Sequence, residues 1–207
     1  MKIIFEDTEI IVCIKPVGVL SQKDASGKLN MVDLLEEHCS CTVFPLHRLD
    51  REVGGIMVFA KTKAAAARLS QDIANHNFKK EYIALIHGVP DKESGEMRDL
   101  LFKDSSKNKS FVVKRQRRGV KEALLEYEVI ESFDKDGEKY SKVKVLLHTG
   151  RTHQIRVQFA SRKLFLVGDR KYGAKDEFKQ IGLWSYGITF NHPKNNKNMY
   201  FSVEPEF

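Results

Sequence analysis

The sequence predicts an α+β fold: a mixed or mostly antiparallel central sheet flanked by a few helices and loops. Three observations carry this prediction. Strand-length apolar runs outnumber segments of helical period, turn residues at hairpin spacing dominate positions 95–148, and no internal repeat or low-complexity linker breaks the pattern. At 207 residues the chain is expected to form one domain, with a core large enough to hold without disulfides.

Two short strands open the chain at residues 3–5 and 10–14, separated by the turn-forming Glu6-Asp7-Thr8. Lys15-Pro16-Val17-Gly18 ends the second, because proline lacks a ladder donor and glycine permits a tight bend. After a polar loop, Asn30 caps a short helix over 31–38 with Val32, Leu34 and Leu35 as its buried side. A glycine pair leads into a strand at 56–60. Thr62 then caps the clearest helix, reaching Ala74, with Ala65, Leu69 and Ile73 on one face. A strand at 81–87 precedes a meander at 96–102, 110–114, 123–131 and 140–148, turning near Asn108, Gly119 and Asp136-Gly137. A short helix over 152–161 faces Ile155 and Phe159 inward, and strands at 183–190 and 199–203 close the chain.

A composition of 42% hydrophobic and 30% charged residues excludes wholesale disorder. Cys13, Cys39 and Cys41 cannot form a full disulfide set, which points to a reducing compartment. No apolar run approaches the ~20 residues of a membrane span. Glu6, Asp7 and Glu9 interrupt the stretch a signal peptide would need, so a cytoplasmic protein without membrane attachment is expected. The net charge of +7 is uneven: residues 1–100 hold 13 basic and 15 acidic side chains, residues 101–207 hold 22 and 13. That asymmetry predicts a polyanion-binding face built mostly from the second half, against the plainer alternative of a basic, soluble surface.

Four polar islands interrupt the apolar runs, where side chains must face a cleft or be paired. They are His47-Arg48-Leu49-Asp50-Arg51, Lys79-Lys80-Glu81-Tyr82, Thr149 to Arg156, and Val167 to Gly173. The third is a glycine turn opening a helix, an arrangement suited to phosphate, with Arg151 and His153 as candidate substrate contacts. Taken singly, each island reads at least as well as a structural ion pair.

Taken together and in this order, the islands resemble the RluA family of RNA pseudouridine synthases along nearly the whole chain. Lys15-Pro16-Val17-Gly18 is similar to that family's KPxG turn, His47-Arg48-Leu49-Asp50 to its HRLD motif, and Lys80 to Ala84 to its K-x-Y-x-A strand. Gly150 to Val157 reads GRTHQIRV, Val167-Gly168-Asp169 with Tyr172-Gly173 reads VGDxxYG, and His192-Pro193 is similar to a late HP turn. The resemblance implies the pseudouridine synthase fold and three catalytic residues. Asp50 is the essential acid, Arg156 its basic partner, and Tyr82 packs on the target base as a candidate acceptor of the carbon 5 proton. It also implies that Arg48 enters the stack left by a flipped nucleotide and that Leu183 lines the base pocket. Two places depart from the pattern: Leu183-Trp184-Ser185 stands where Leu-His-Ala is common, and Val53-Gly54-Gly55 where Thr-Ser-Gly is usual.

Isomerising uridine breaks a glycosidic bond, turns the base and joins ribose to carbon 5. A carboxylate can attack carbon 1′ or remove the 2′ hydrogen, and either role calls for one ionised acid with a cation nearby. Neither cofactor nor metal is expected: His38-Cys39-Ser40-Cys41 offers a tighter spacing than zinc sites use. Residues 107–121 hold seven basic side chains and no acid, so Lys114, Arg115, Arg117 and Arg118 are expected to meet phosphates. The expected partner is a tRNA or rRNA stem-loop, bound by a monomer and recognised through shape. Two rivals stand beside this reading. One is a catalytically idle RNA-binding protein on the same scaffold. The other is a glycoside hydrolase, disfavoured because a second, paired carboxylate is missing.

Overall fold

A computed structural model describes residues 1–207. The α+β prediction holds, with eleven strands and three helices in chain order. These are β1 (Lys2–Glu6), β2 (Ile10–Lys15), α1 (Met31–Cys39), β3 (Phe44–Pro45), β4 (Gly54–Ala60), α2 (Lys63–Ala74) and β5 (Lys79–His87). Then come β6 (Ser94–Asp104), β7 (Lys109–Val113), β8 (Val120–Lys135), β9 (Glu138–Leu147), α3 (Gln154–Ala160), β10 (Leu183–Asn191) and β11 (Asn198–Ser202). They fall into two compact units, Met1–Lys80 with Trp184–Glu206, and Glu81–Leu183. No helix is long and apolar enough to cross a membrane.

In the first unit, β1 pairs antiparallel with β2, β2 antiparallel with β4, β4 parallel with β10, and β10 antiparallel with β11. The single parallel pair makes this sheet mixed. The inner strands β2 and β4 are buried throughout, which is why they read as unbroken apolar runs, whereas the edge strand β11 alternates. The core gathers Ile10, Val12, Ile56, Val58, Leu69, Phe78, Ile188 and Phe190, with the Phe78 and Phe190 rings stacked at 5.3 Å. Both predicted caps form. Asn30 Oδ1 accepts from Asp33 N–H at 3.0 Å, and Thr62 Oγ1 accepts from Ala65 N–H at 3.1 Å. On α1 the buried face is Met31, Val32 and Leu35, with Leu34 only half-buried.

In the second unit, β7, β6, β8 and β9 form an antiparallel meander in that spatial order. β8 runs four residues past the predicted end at 131, because Asp136 and Gly137 both take positive φ (53° and 79°). That tight hairpin turn prolongs pairing along the ribbon. A bulge between Val129 and Glu131 turns Ile130 outward at 50% exposure. α3 is shorter than predicted. Thr152 and His153 belong to the turn before it, His153 in the left-handed region at φ 52°, and the helix has seven residues. Its Val157 packs with Leu101, Ala123 and Tyr172.

Candidate active site

Asp50 is half-buried in the turn between β3 and β4, which Val53 N–H closes by donating to Asp50 O at 3.1 Å. The residues on either side of it are braced by the loop after β2. Leu49 N–H donates to Ser21 Oγ at 2.9 Å, and the Ser21 hydroxyl donates back to Leu49 O at 2.8 Å. Arg51 O accepts from Gly18 N–H at 2.8 Å and from Lys15 Nζ at 3.2 Å, while Arg51 Nε donates to Gly18 O at 3.0 Å. Lys15 is fully buried and also donates to Pro16 O and Val19 O at 2.9 and 2.7 Å. Burial pulls its ammonium down to about 8, against the opposing pull of the Glu52 and Asp50 charges. The sequence reading missed the role of Lys15, for which a lysine closing an otherwise apolar strand is the available signal. Ser21 gave none, since it opens a polar loop.

His47, immediately before Arg48, is a support rather than a titrating group. Its Nε2 accepts from Val58 N–H at 3.3 Å, its Nδ1 is enclosed without a partner, and the ring lies 5.8 Å from that of Phe78. Burial pushes the imidazole down to about 3, with Lys80 adding to the effect. Between pH 6.5 and 3 the unfolded chain therefore binds a proton that the folded state refuses. Stability is lost as pH falls through that window, by up to several kcal/mol. Urea midpoints for wild type and His47→Gln at descending pH should show a flatter loss in the variant; parallel curves would contradict the assignment.

In the second unit the GRTHQIRV and VGDxxYG segments form one buried polar cluster. Arg156 Nε and Nη2 donate to Asp169 Oδ2 and Oδ1 at 2.7 and 2.8 Å, a bidentate pair in which both side chains are almost wholly buried. Asp169 O accepts from the N–H groups of Tyr172, Gly173 and Ala174, winding the turn round that residue. The Tyr172 ring lies 5.2 Å from the Arg156 guanidinium, and its hydroxyl meets His153 Nδ1 and accepts from Ser110 N–H, each at 2.9 Å. Asp169 is the residue whose role the sequence missed. The turn before α3 is also more closed than a phosphate cradle: Gln154 Oε1 accepts from Arg151 N–H at 3.0 Å, and Gln154 is itself buried. His153 is buried, while Arg151 is half-buried with its Nε on Glu122 O at 2.8 Å.

Tyr82 is buried on β5 and Leu183 is buried at the head of β10, whereas Arg48 is exposed. Lys114, Arg115, Arg117 and Arg118 are all exposed in the β7–β8 loop, and none enters an ion pair. At the end of α1, Glu6 meets His38 Nε2 at 2.8 Å and Cys39 Sγ at 3.5 Å. Lys61 Nζ stands 2.6 Å from the same carboxylate and, with His38, holds Glu6 near 2, while burial pushes the Cys39 thiol up to about 11. The carboxylate is thus matched within the protein.

Residues 9–161 match the family model described as RNA pseudouridylate synthase. The chain belongs to that family of RNA isomerases. It is 33% identical to an RNA pseudouridine synthase of Aquifex aeolicus, over 99% of this chain and 69% of that protein. It is 30% identical to ribosomal large subunit pseudouridine synthase C of Buchnera aphidicola, over 99% of this chain and 67% of that protein. The chain thus spans about two thirds of the length of these relatives. Among solved structures, human RNA Pseudouridylate Synthase Domain Containing 1 superposes with a TM-score of 0.83 at 22% identity, covering all of this chain and 84% of that one. Human RNA Pseudouridylate Synthase Domain Containing 4 gives 0.78 at 20%, covering 99% and 89%; both show the pseudouridine synthase fold.

The two departures from the synthase family pattern face each other. Trp184 pairs with Gly54 and Ser185 with Gly55 in the parallel register of β4 and β10. A Cβ on Gly54 would lie 2.4 Å from Trp184 Cζ3, and one on Gly55 would lie 2.3 Å from Ser185 O. The indole, fully buried and fixed by Nε1–H donating to Val203 O at 3.1 Å, fills the room that a side chain at 54 would take. Gly54→Ser should therefore cost about 1–3 kcal/mol through overpacking. Adding Trp184→His should recover much of that loss. Additive costs in unfolding measurements would show that the two positions are independent.

Proposed function

We propose that this synthase isomerises uridine to pseudouridine in large-subunit ribosomal RNA, with Asp50 as the catalytic carboxylate. The observation that carries this reading is the bracing of Asp50: the backbone on both sides is tied to the Lys15–Ser21 loop while the acid stays half-buried. Such a turn holds one carboxylate in a fixed place, which an attack on carbon 1′ or removal of the 2′ hydrogen both call for. Tyr82 against the base and Arg156 as the basic partner are assigned through their motifs. The reaction is an isomerisation, balanced without oxidant or reductant, so it calls for no redox cofactor. Ribosomal RNA is favoured over tRNA because relatives carry the name ribosomal large subunit pseudouridine synthase C or D. Mapping pseudouridines in ribosomal and transfer RNA from cells with and without the gene tests the substrate. Sites lost from large-subunit RNA support it, and sites lost only from tRNA overturn it.

RNA is held in this reading by the acid-free β7–β8 loop. If Lys114, Arg115, Arg117 and Arg118 meet phosphates, log affinity falls with log salt by about 0.7 per contact on single strands. Changing all four to Gln should flatten the slope by up to about 3 and weaken binding, with turnover at saturating RNA little changed. An unchanged slope would leave the loop a solvated hairpin tip.

A further inference from the structure

The outward face of the β6–β7 hairpin carries two aromatic rings paired across the strands, Phe102 opposite Phe111. Leu101 and Val112, one step away in the alternation, turn to the core side. Half-buried Leu100 and Val113 also lie opposite each other, and by alternation extend the same outward face. The two rings are not equivalent. Arg117 sits over Phe102 at 4.8 Å and caps it, whereas Phe111 is 36% exposed with Lys109 Nζ at 5.8 Å on its flank. The next residues along the chain beyond β7 are Lys114 and Arg115, both exposed.

Resting on the RNA-modifying reading above, we propose that this face is a stacking platform for unpaired nucleotides of the substrate. Phe111 is its aromatic seat, and the exposed Lys114 and Arg115 hold the flanking phosphates, while Lys109 is tied to Lys171 O and the Tyr172 ring. Charge complementarity selects this occupant. Residues 107–121 contain seven basic side chains and no acid, and an open ring within a cationic track is the usual means of holding single strands without reading sequence. The other exposed phenylalanine with a lysine over it, Phe178 beside Lys135 at 5.7 Å, makes the contrast. It lies in the run Lys175-Asp176-Glu177-Phe178-Lys179, and Lys135 lies between Asp134 and Asp136, so that ring sits among mixed charges rather than in an acid-free basic track. A synthase that acts on a base taken out of its stack meets unpaired neighbours as a matter of course, and a platform beside the basic loop would keep such a strand from re-pairing.

The test compares affinity for a short oligouridine with affinity for a blunt RNA duplex of equal phosphate number, using wild type, Phe111→Leu and Phe111→Trp. Leucine keeps the apolar bulk against Phe102 but removes the flat π face, so it separates stacking from folding. Phe111→Leu should weaken oligouridine binding by about fivefold or more, and Phe111→Trp should stay within about twofold of wild type. Neither should change the duplex affinity or the salt slope. Tryptophan at 111 should also lose fluorescence when oligouridine binds, read as a difference from wild type, whose one indole at Trp184 is buried. Equal affinity of Phe111→Leu and wild type, or an equal loss on both RNAs, would overturn the platform. So would a change in the sedimentation of Phe111→Leu without RNA, which would assign the face to a second copy of the chain. None of these readouts uses turnover. A wild type that stacks oligouridine yet forms no pseudouridine would sink the functional reading alone, and a turning-over enzyme indifferent to Phe111 would sink the platform alone.

Discussion

Asp50→Asn should lower the rate of pseudouridine formation by a factor on the order of 10⁴ or more, the scale seen when a nucleophile or its equivalent is removed. The fold should survive, because the brace on this turn uses the backbone of Leu49 and Arg51, not the carboxylate. RNA affinity should also persist, since phosphate contacts supply most of it. Tritium released from carbon 5 of labelled uridine in RNA measures turnover, with the urea midpoint and a binding titration run on the same variant. A rate within about tenfold of wild type would take Asp50 out of its assigned role.

Arg156→Met carries the largest expected cost in stability. It strips both hydrogen bonds from a carboxylate at 1% exposure, and breaking a buried pair by removing one partner costs about 3–5 kcal/mol. Asp169→Ala should also destabilise, because it takes two hydrogen bonds from a buried guanidinium. Replacing both, as Arg156→Met with Asp169→Leu, should cost less than the two single losses added together, because neither member of this pair is left buried without the other. Denaturant unfolding of the three variants checks this, and additive losses would contradict the pairing. One consequence bears on activity. A fall in turnover by Arg156→Met reports on the catalytic role only when corrected for the fraction folded.

Much of this structure is local and was therefore legible in the sequence. Asn30 and Thr62 announced their helices because a cap acts within three residues. The turns at Asn108, Gly119 and Asp136-Gly137 were visible because few residues accept positive φ. What stayed hidden is non-local. The motifs containing Arg156 and Asp169 were both evident, but nothing in either says that the guanidinium of one is clasped by the carboxylate of the other. Gly54 and Trp184 each looked like an isolated departure, and only the parallel register of β4 and β10 shows one making room for the other. Lys15 was read only as the start of the turn that ends β2, and its three carbonyl acceptors come from the turns that follow it and the turn after Asp50. What was hidden are long-range pairings, and composition and periodicity carry no record of them.

The most direct test is the nucleoside content of large-subunit ribosomal RNA, transcribed without modification, incubated with the protein and digested completely. Wild type should convert uridine to pseudouridine with no free uracil, and Asp50→Asn should leave uridine untouched. Free uracil in place of pseudouridine would mean hydrolysis. RNA bound by the wild type but left unmodified would mean a binding protein, and equal pseudouridine from both proteins would remove the carboxylate on which the account rests.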